Sequence, residues 1–538
     1  MGQRIYPLTV GGRNRMIYSP AQTIRNFFRQ NKSACAGAVT VFVCGIVTHL
    51  YMLTNKLYNY FEMGNIFSRM SFEKSDALPM GRVFMPFVTA LSSYYSQATI
   101  NGMLCLTALA VTVYMLIDCF QIRSVLYAAV LGGIVVTFPG VASYLSYGVN
   151  SDLFCISLCL AAASVWLMQK YKWGFLAGSI CLCVSVGCYQ PFMSVAIAAM
   201  FGILFLDVLR SEMTWKALVT KALKYLGMLA AGFLLYYTVL QIALHVTGIT
   251  MGDYHGVNEM TSFTVKGIAK GFVYTYLYFL TYFFTTDYNG AVLPAIANYA
   301  AAALMLLFTV LLIRHRKTGR LQPVLLLLLL PLGVNAAPFL MADRVGNGVD
   351  NYMLFSVLTT YFLLSALAQE CASRGLIRRQ KLLHTAQWGV VLSCAVVVIS
   401  GFYVCNTAYH RLEAVTKQVT GLIDRLAYRI EETQEWQQGM PVYIAGCSNT
   451  FNEHYEVSIP EFEKPGNVSG TEFRPWYSYG AVVKYMKEYL HFPLTEPEEE
   501  QISRLLDSEE LKQMPVYPES GCIAEIDGVL VIKLSGEQ

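Results

Sequence analysis

The chain has 538 residues, 55% of them hydrophobic and 14% charged, with a formal net charge of +4 and a mean hydropathy of +0.45. Soluble globular domains carry about 25% charged residues, so the composition excludes an ordinary water-soluble fold, and nothing in it points to nucleic acid as a partner. It describes a mainly α, polytopic helical membrane protein.

Apolar stretches long enough for a hydrocarbon core of about 30 Å recur at 36–53, 102–118, 124–140, 151–168, 173–188, 190–207, 223–245, 291–313, 323–341, 350–367 and 384–405. They predict about eleven spans. The first 32 residues are basic and polar, and no small-residue cleavage pattern follows the first apolar run, so that run is expected to stay in place as a signal anchor. Orientation follows from Lys and Arg, which are retained on the cytoplasmic side. Loops after every second span hold Arg123, then Lys170 and Lys172, then Arg210 to Lys224, Arg314 to Arg320, and Arg374 to Lys381. The opposite loops hold only Lys56, Arg69, Lys74, Arg82, Lys266, Lys270 and Arg344 before residue 406. The N-terminus is therefore expected in the cytoplasm of a cell with a cytoplasmic (inner) membrane. Residues 267–286, GIAKGFVYTYLYFLTYFFTT, are apolar enough to span, yet a crossing there would put RHRKTGR outside. They are read as an interfacial or re-entrant segment, where Tyr rings prefer to sit.

From about Asn406 the chain changes character, with 22 acidic against 11 basic residues to the C-terminus. The expected organisation is a transmembrane domain at 1–405, with outer loops 54–101 and 246–290, followed by an extracytoplasmic soluble α/β domain at 406–538. Helices are predicted over 408–436, 478–490 and 497–513, a buried strand at 440–446, and a hairpin over 522–534 around Asp527-Gly528. Twelve of the fourteen cysteines lie in or beside the spans, where Cys acts as a small hydrophobe. Their spacing lacks the pairing of a zinc site. Cys447 and Cys522 of the outer domain are open to either a disulfide or two free thiols.

Charge collects in one outer stretch, SFEKSDALPMGRVFM at 71–85. Loop 54–101 also brings Glu62, and the neighbouring outer elements bring Asp152 in SYGVNSDLF, Gln190 in GCYQPFM and Arg344 in MADRVGNGVD. Ionisable groups at a membrane edge are commonly functional or paired. Transfer of a sugar from a lipid phosphate to a hydroxyl needs a carboxylate to take the acceptor proton, and fixed positive charge for the departing phosphate. The donor's phosphate lies at headgroup level, so those groups must stand at the membrane surface. Each residue also has a plainer use. Glu62 suits a solvated interfacial acid, Asp152 a helix cap, Gln190 a partner for backbone groups freed by Pro191, and Arg344 a partner for Asp343 or Asp350.

The segments TNKLYNYFEMGNIFS, MGRVFM, YGVNSDLF and GCYQPFMSV, with the tail MPVYPESGCIAEIDGVLVIKL, occur in this order along nearly the whole chain. Together they resemble the GT-C class of polytopic glycosyltransferases, and specifically the bacterial serotype-converting glucosyltransferases of the Gtr type two. The resemblance implies an inverting transfer of glucose from a polyprenyl-phosphate donor to a cell-envelope glycan acceptor such as O-antigen or a wall polymer, at the outer face of the bilayer. It places the family's first-loop acid on Glu62, where Asp is usual, and leaves Asp76 and Glu73 as rival bases. Asp152 matches the acid that opens the fourth span. Arg82 matches the Arg of a Gly-Arg-aromatic element, although Val83 stands where the aromatic is expected, and Tyr189-Gln190 matches a Tyr-Gln pair. No cofactor is required by any motif; a divalent metal is compatible with the sequence. A transporter or lipid flippase is the alternative, but such proteins carry ionisable groups at mid-membrane between repeated halves, and these spans are nearly free of charge.

Overall fold

A computed structural model describes residues 19–57, 59, 63, 77–252, 265–286, 291–340, 350–446, 468–471 and 479–534. After a short amphipathic helix α1 (Pro20–Gln30), the chain forms α2 (Lys32–Thr54), α3 (Met85–Thr89), α4 (Ala98–Phe120), α5 (Val125–Val136), α6 (Pro139–Ser146), α7 (Ser151–Lys170), α8 (Gly174–Cys188), α9 (Met193–Arg210) and α10 (Trp215–Thr247). Then come α11 (Val265–Phe284), α12 (Val292–His315), α13 (Leu321–Leu328), α14 (Leu330–Val334), α15 (Ala336–Leu340), α16 (Thr359–Ser373) and α17 (Gln380–Glu431). Among the described residues, eight helices are long and apolar enough to cross a bilayer: α2, α4, α7, α9, α10, α12, α16 and α17, with α7, α9 and α16 each extended by a preceding 3-10 turn. Each of the eleven predicted stretches is helical, but three do not form one long span. Pro139 splits the third into α5 and α6, bent by 43°, because proline lacks the amide hydrogen and crowds the carbonyl one turn back. Pro331 and the break at Asn335 divide 321–340 into three short helices. The fifth, α8, has only 15 residues.

One end of the bundle is basic and tightly bonded. Glu370 accepts from Arg210 at 3.3 Å and from Arg374 at 2.8 Å, and Arg210 also reaches the Phe120 carbonyl at 3.1 Å. Arg316 donates to the Ser211 carbonyl at 2.7 Å, Glu212 accepts from the Lys317 amide at 3.1 Å, and Ser33 donates to the Ile122 carbonyl at 2.7 Å. These contacts gather the N-terminus of α2 and the C-termini of α4, α9, α12 and α16 on one surface, the end that the charge pattern assigns to the cytoplasm. Helix α10 leaves this end and α12 returns to it. Between them in sequence, α11 packs against α15 and α14, with Asn335 donating to the Thr275 carbonyl at 3.1 Å, and the last turn of α11 meets Phe138 and Tyr299.

The last span does not stop at residue 405. Helix α17 continues through Glu431 for 52 residues, about 78 Å at 1.5 Å per residue, and its C-terminal half becomes part of the acidic C-terminal region. Val415, Leu422, Leu426 and Ile430 on that half pack with Val442 and Ile444 of β1 (Val442–Ala445), Leu530 and Ile532, and with Val482 and Met486 of α18 (Tyr479–Glu488). On the other face, Val529 and Val531 meet Leu505 of α19 (Glu499–Asp507) and Leu511 of α20 (Glu509–Gln513). Between these layers lies a sheet of order β1-β3-β2, with β3 (Val529–Lys533) parallel to β1 and antiparallel to β2 (Ile523–Ile526). The hairpin turns at Asp527-Gly528, both at positive φ, as a two-residue connection requires. The predicted strand, hairpin and helices are present, except that the helix expected over 497–513 breaks at the extended Ser508 into α19 and α20.

Candidate active site

The segment after the charged loop is held from several sides. Gly81 sits at φ 72°, a conformation other residues rarely take, and it turns the chain so that the Arg82 amide donates to the Ala77 carbonyl at 2.8 Å. Tyr236 of α10 donates to the Gly81 carbonyl at 2.9 Å, Gln190 donates to the Met80 carbonyl at 2.8 Å, and the Phe84 amide donates to the Gly187 carbonyl at 3.0 Å. The Arg82 guanidinium thus comes to rest 5.5 Å from the centre of the Tyr189 ring. Cation and ring face attract by about 0.5–2 kcal/mol depending on solvent exposure.

Tyr189 belongs to an aromatic cluster. Its ring lies 4.8 Å from Phe154, 4.9 Å from Phe192 and 6.2 Å from Tyr352. Phe154 is two residues along α7 from Asp152, whose carboxylate is fully buried in the first turn of that helix and accepts from the Leu153 amide at 2.9 Å. Partial positive charge at a helix N-terminus favours an anion there. The structure therefore gathers Arg82, Asp152, Tyr189 and Gln190 in one region at the end opposite the basic surface. Glu62, Asp76 and Arg344 lie outside the described residues, as do Glu73 and Cys447.

The sequence model of the family described as Glucosyl transferase GtrII matches residues 50–363, more than half of the chain and the whole stretch that carries this cluster. The chain belongs to that family. It is a multi-pass membrane protein and a glycosyltransferase. The crystal structure of ArnT from Cupriavidus metallidurans in the apo state aligns over 86% of this chain and 90% of its own, at 11% identity and a TM-score of 0.20. No curated protein matches the chain significantly.

Three features of this GtrII-family chain escaped sequence reasoning. Tyr352 lies within 6.2–6.3 Å of the rings of Tyr144, Tyr147, Phe154 and Tyr189, and its carbonyl accepts from the Tyr144 hydroxyl at 2.6 Å. Its neighbour Asn351 is 1% exposed, with neither its carboxamide oxygen nor its nitrogen bonded to any described residue. The hint was the polar pair Asn351-Tyr352 at the outer start of an otherwise apolar span. The third feature comes from the C-terminal region. Residues 468–471 dock on the end of the GtrII-family bundle opposite the basic surface, where Ser469 donates to Asp350 at 2.6 Å, Ser146 donates to the Ser469 carbonyl at 3.4 Å, and Arg411 of α17 donates to Thr471. No sequence signal joins positions so far apart.

Proposed function

We propose that the chain transfers a sugar, glucose by its family, from a polyprenyl-phosphate donor to a hydroxyl of a cell-envelope glycan at the outer face of the cytoplasmic membrane. The acceptor hydroxyl attacks the anomeric carbon as its proton passes to a carboxylate, Glu62 or Asp76. The bond from that carbon to the phosphate oxygen breaks, the electron pair leaves with polyprenyl phosphate, and the configuration inverts. Arg82 and Arg344 receive the phosphate. Asp152, buried at the first turn of α7, is the third acid, suited to orienting the acceptor or taking its proton. Tyr189 and Gln190 keep Arg82 and its segment in place.

The observation that carries this reading is the Arg82 guanidinium held against Tyr189, whose ring packs on Phe154 two residues along α7 from the buried Asp152, in a segment followed by exposed apolar side chains. Phe87, Leu91 and Tyr95 follow it at intervals of four residues, and all are exposed. A donor with its phosphate at Arg82 would find an apolar surface for its tail there. Asn351 supplies a buried donor and acceptor for a sugar hydroxyl, which would relieve the cost of about 1–3 kcal/mol for an unpaired polar group. The reaction is written without a metal because no motif of the sequence requires one, and a divalent ion is compatible with it.

The test is transfer of labelled glucose from polyprenyl-phosphate glucose by membranes that carry the protein. Glu62→Gln nearly keeps shape and removes a base, so it should lower turnover by roughly 10²-fold with little change in donor KM. Full activity there with a loss in Asp76→Asn moves the base to Asp76. Full activity in both, and in Asp152→Asn, rejects the mechanism.

A further inference from the structure

At the basic end, away from the candidate active site, the C-terminus of α7, the start of α8 and the first turns of α10 border an open cavity of about 800 Å³. Four lysines line it, Lys172, Lys216, Lys221 and Lys224. Lys221 is paired with Asp207, but the exposed Lys172, Lys216 and Lys224 have no acidic partner among the described residues. Lys216 and Lys224 lie eight residues apart on one face of α10, with Thr220 between them on the same stripe. Neither α8 nor α10 has an acid in its first turn, so the positive ends of two helix dipoles add to the field of the lysines. Gathering like charges in this way is unfavourable until an anion enters.

The surroundings say which anion. Tyr171 and Trp173 stack at 4.9 Å beside the cavity, and Trp173 and Trp215 are half exposed, as aromatic side chains are at headgroup depth. Just past them, Leu176 and Ile180 of α8 and Leu223 and Leu226 of α10 are exposed apolar side chains. A phosphate-bearing headgroup fits the charged cavity, and acyl chains fit the flanks. A free phosphate compound would use the lysines but not the apolar rim.

We propose that this cavity binds the headgroup of an anionic phospholipid, with its acyl chains along Leu176, Ile180, Leu223 and Leu226. Basic pockets between spanning helices recognise such headgroups, at about 1 kcal/mol per lysine. The assignment does not depend on the transfer reaction. In the full-length purified protein, phosphatidylglycerol titrated into phosphatidylcholine nanodiscs should bind and raise Tm, measured against nanodiscs of phosphatidylcholine alone. Replacing Lys172, Lys216 and Lys224 together by Gln should weaken phosphatidylglycerol binding on the order of 100-fold, whereas Arg at all three should keep it within a few-fold. Gln at Arg378, Arg379 and Lys381, exposed bases of the same end outside the cavity, should change little. Equal loss in that control set, or no loss in the lysine set, overturns the site. Binding of inorganic phosphate or glycerol 3-phosphate as tight as that of phosphatidylglycerol overturns the lipid assignment.

Discussion

Arg82 faces two demands that substitutions separate. Its charge meets the Tyr189 ring at 5.5 Å, and its planar fork offers two parallel hydrogen bonds to a phosphate, which an ammonium cannot reproduce. Arg82→Lys should therefore keep expression and Tm but lower donor kcat/KM by roughly tenfold, and Arg82→Ala should lower it by about 10²-fold or more. Near-complete rescue by Lys, together with a lower Tm in the Ala variant, would instead make Arg82 a brace for its own loop. Asn351 poses the reverse trade. Its carboxamide, unbonded among the described residues, costs stability in the free protein, so Asn351→Leu should raise Tm, by the equivalent of about 1–3 kcal/mol, while reducing turnover. If Tm and activity fell together, the side chain would serve packing alone.

At the scale of elements, small residues decide where segments meet. Gly470 lies at φ 82°, and a Cβ there would come within 2.3 Å of the Ser146 hydroxyl oxygen. Gly470→Ala should then lift residues 468–471 from the bundle, which limited proteolysis would detect as faster cleavage on the C-terminal side of α17. In the sheet, Lys533 is 8% exposed and donates to the carbonyls of Leu511, Lys512 and Met514 at 2.9, 2.8 and 2.9 Å, closing the end of α20. Lys533→Met keeps the length but strands three acceptors, and a stability loss of about 1–3 kcal/mol should appear in urea unfolding. The strand and hairpin around these residues were legible because alternation and Asp527-Gly528 act locally. So were most spans, since twenty apolar residues have few alternatives in a bilayer. The bend at Pro139 and the triple break of 321–340 were less so. A proline disturbs a helix, but whether the chain kinks or starts a new helix depends on neighbours that satisfy the freed backbone groups. Of the candidate site, Arg82 and Tyr189-Gln190 stood out in the sequence. Asn351, Tyr352 and Tyr236 did not, because each stands in or at the edge of an apolar stretch and gains its meaning from partners far along the chain.

The whole molecule has two chemically different ends, and labelling tests their sides. A cysteine at exposed Ser503 should react with an impermeant thiol reagent in intact cells, in a background with Cys447→Ser, and one at exposed Ser373 should not. Native Cys522 should stay silent, since it is fully buried and burial pushes its thiol up, leaving little thiolate at neutral pH. Labelling at Ser373 without labelling at Ser503 would invert the orientation. The docking of residues 468–471 also fixes an order of events during synthesis. Every span of the bundle leaves the ribosome before them, and Asp350 receives the Ser469 hydroxyl only when the chain is within its last hundred residues. A nascent chain arrested just after α17 has emerged would hold its full set of spans, with Arg82 already against Tyr189, yet the contacts of Asp350 and Ser146 with residues 468–471 would still be unmade. That end of the bundle is closed only after all of its spans are made, by a segment that leaves the ribosome behind them.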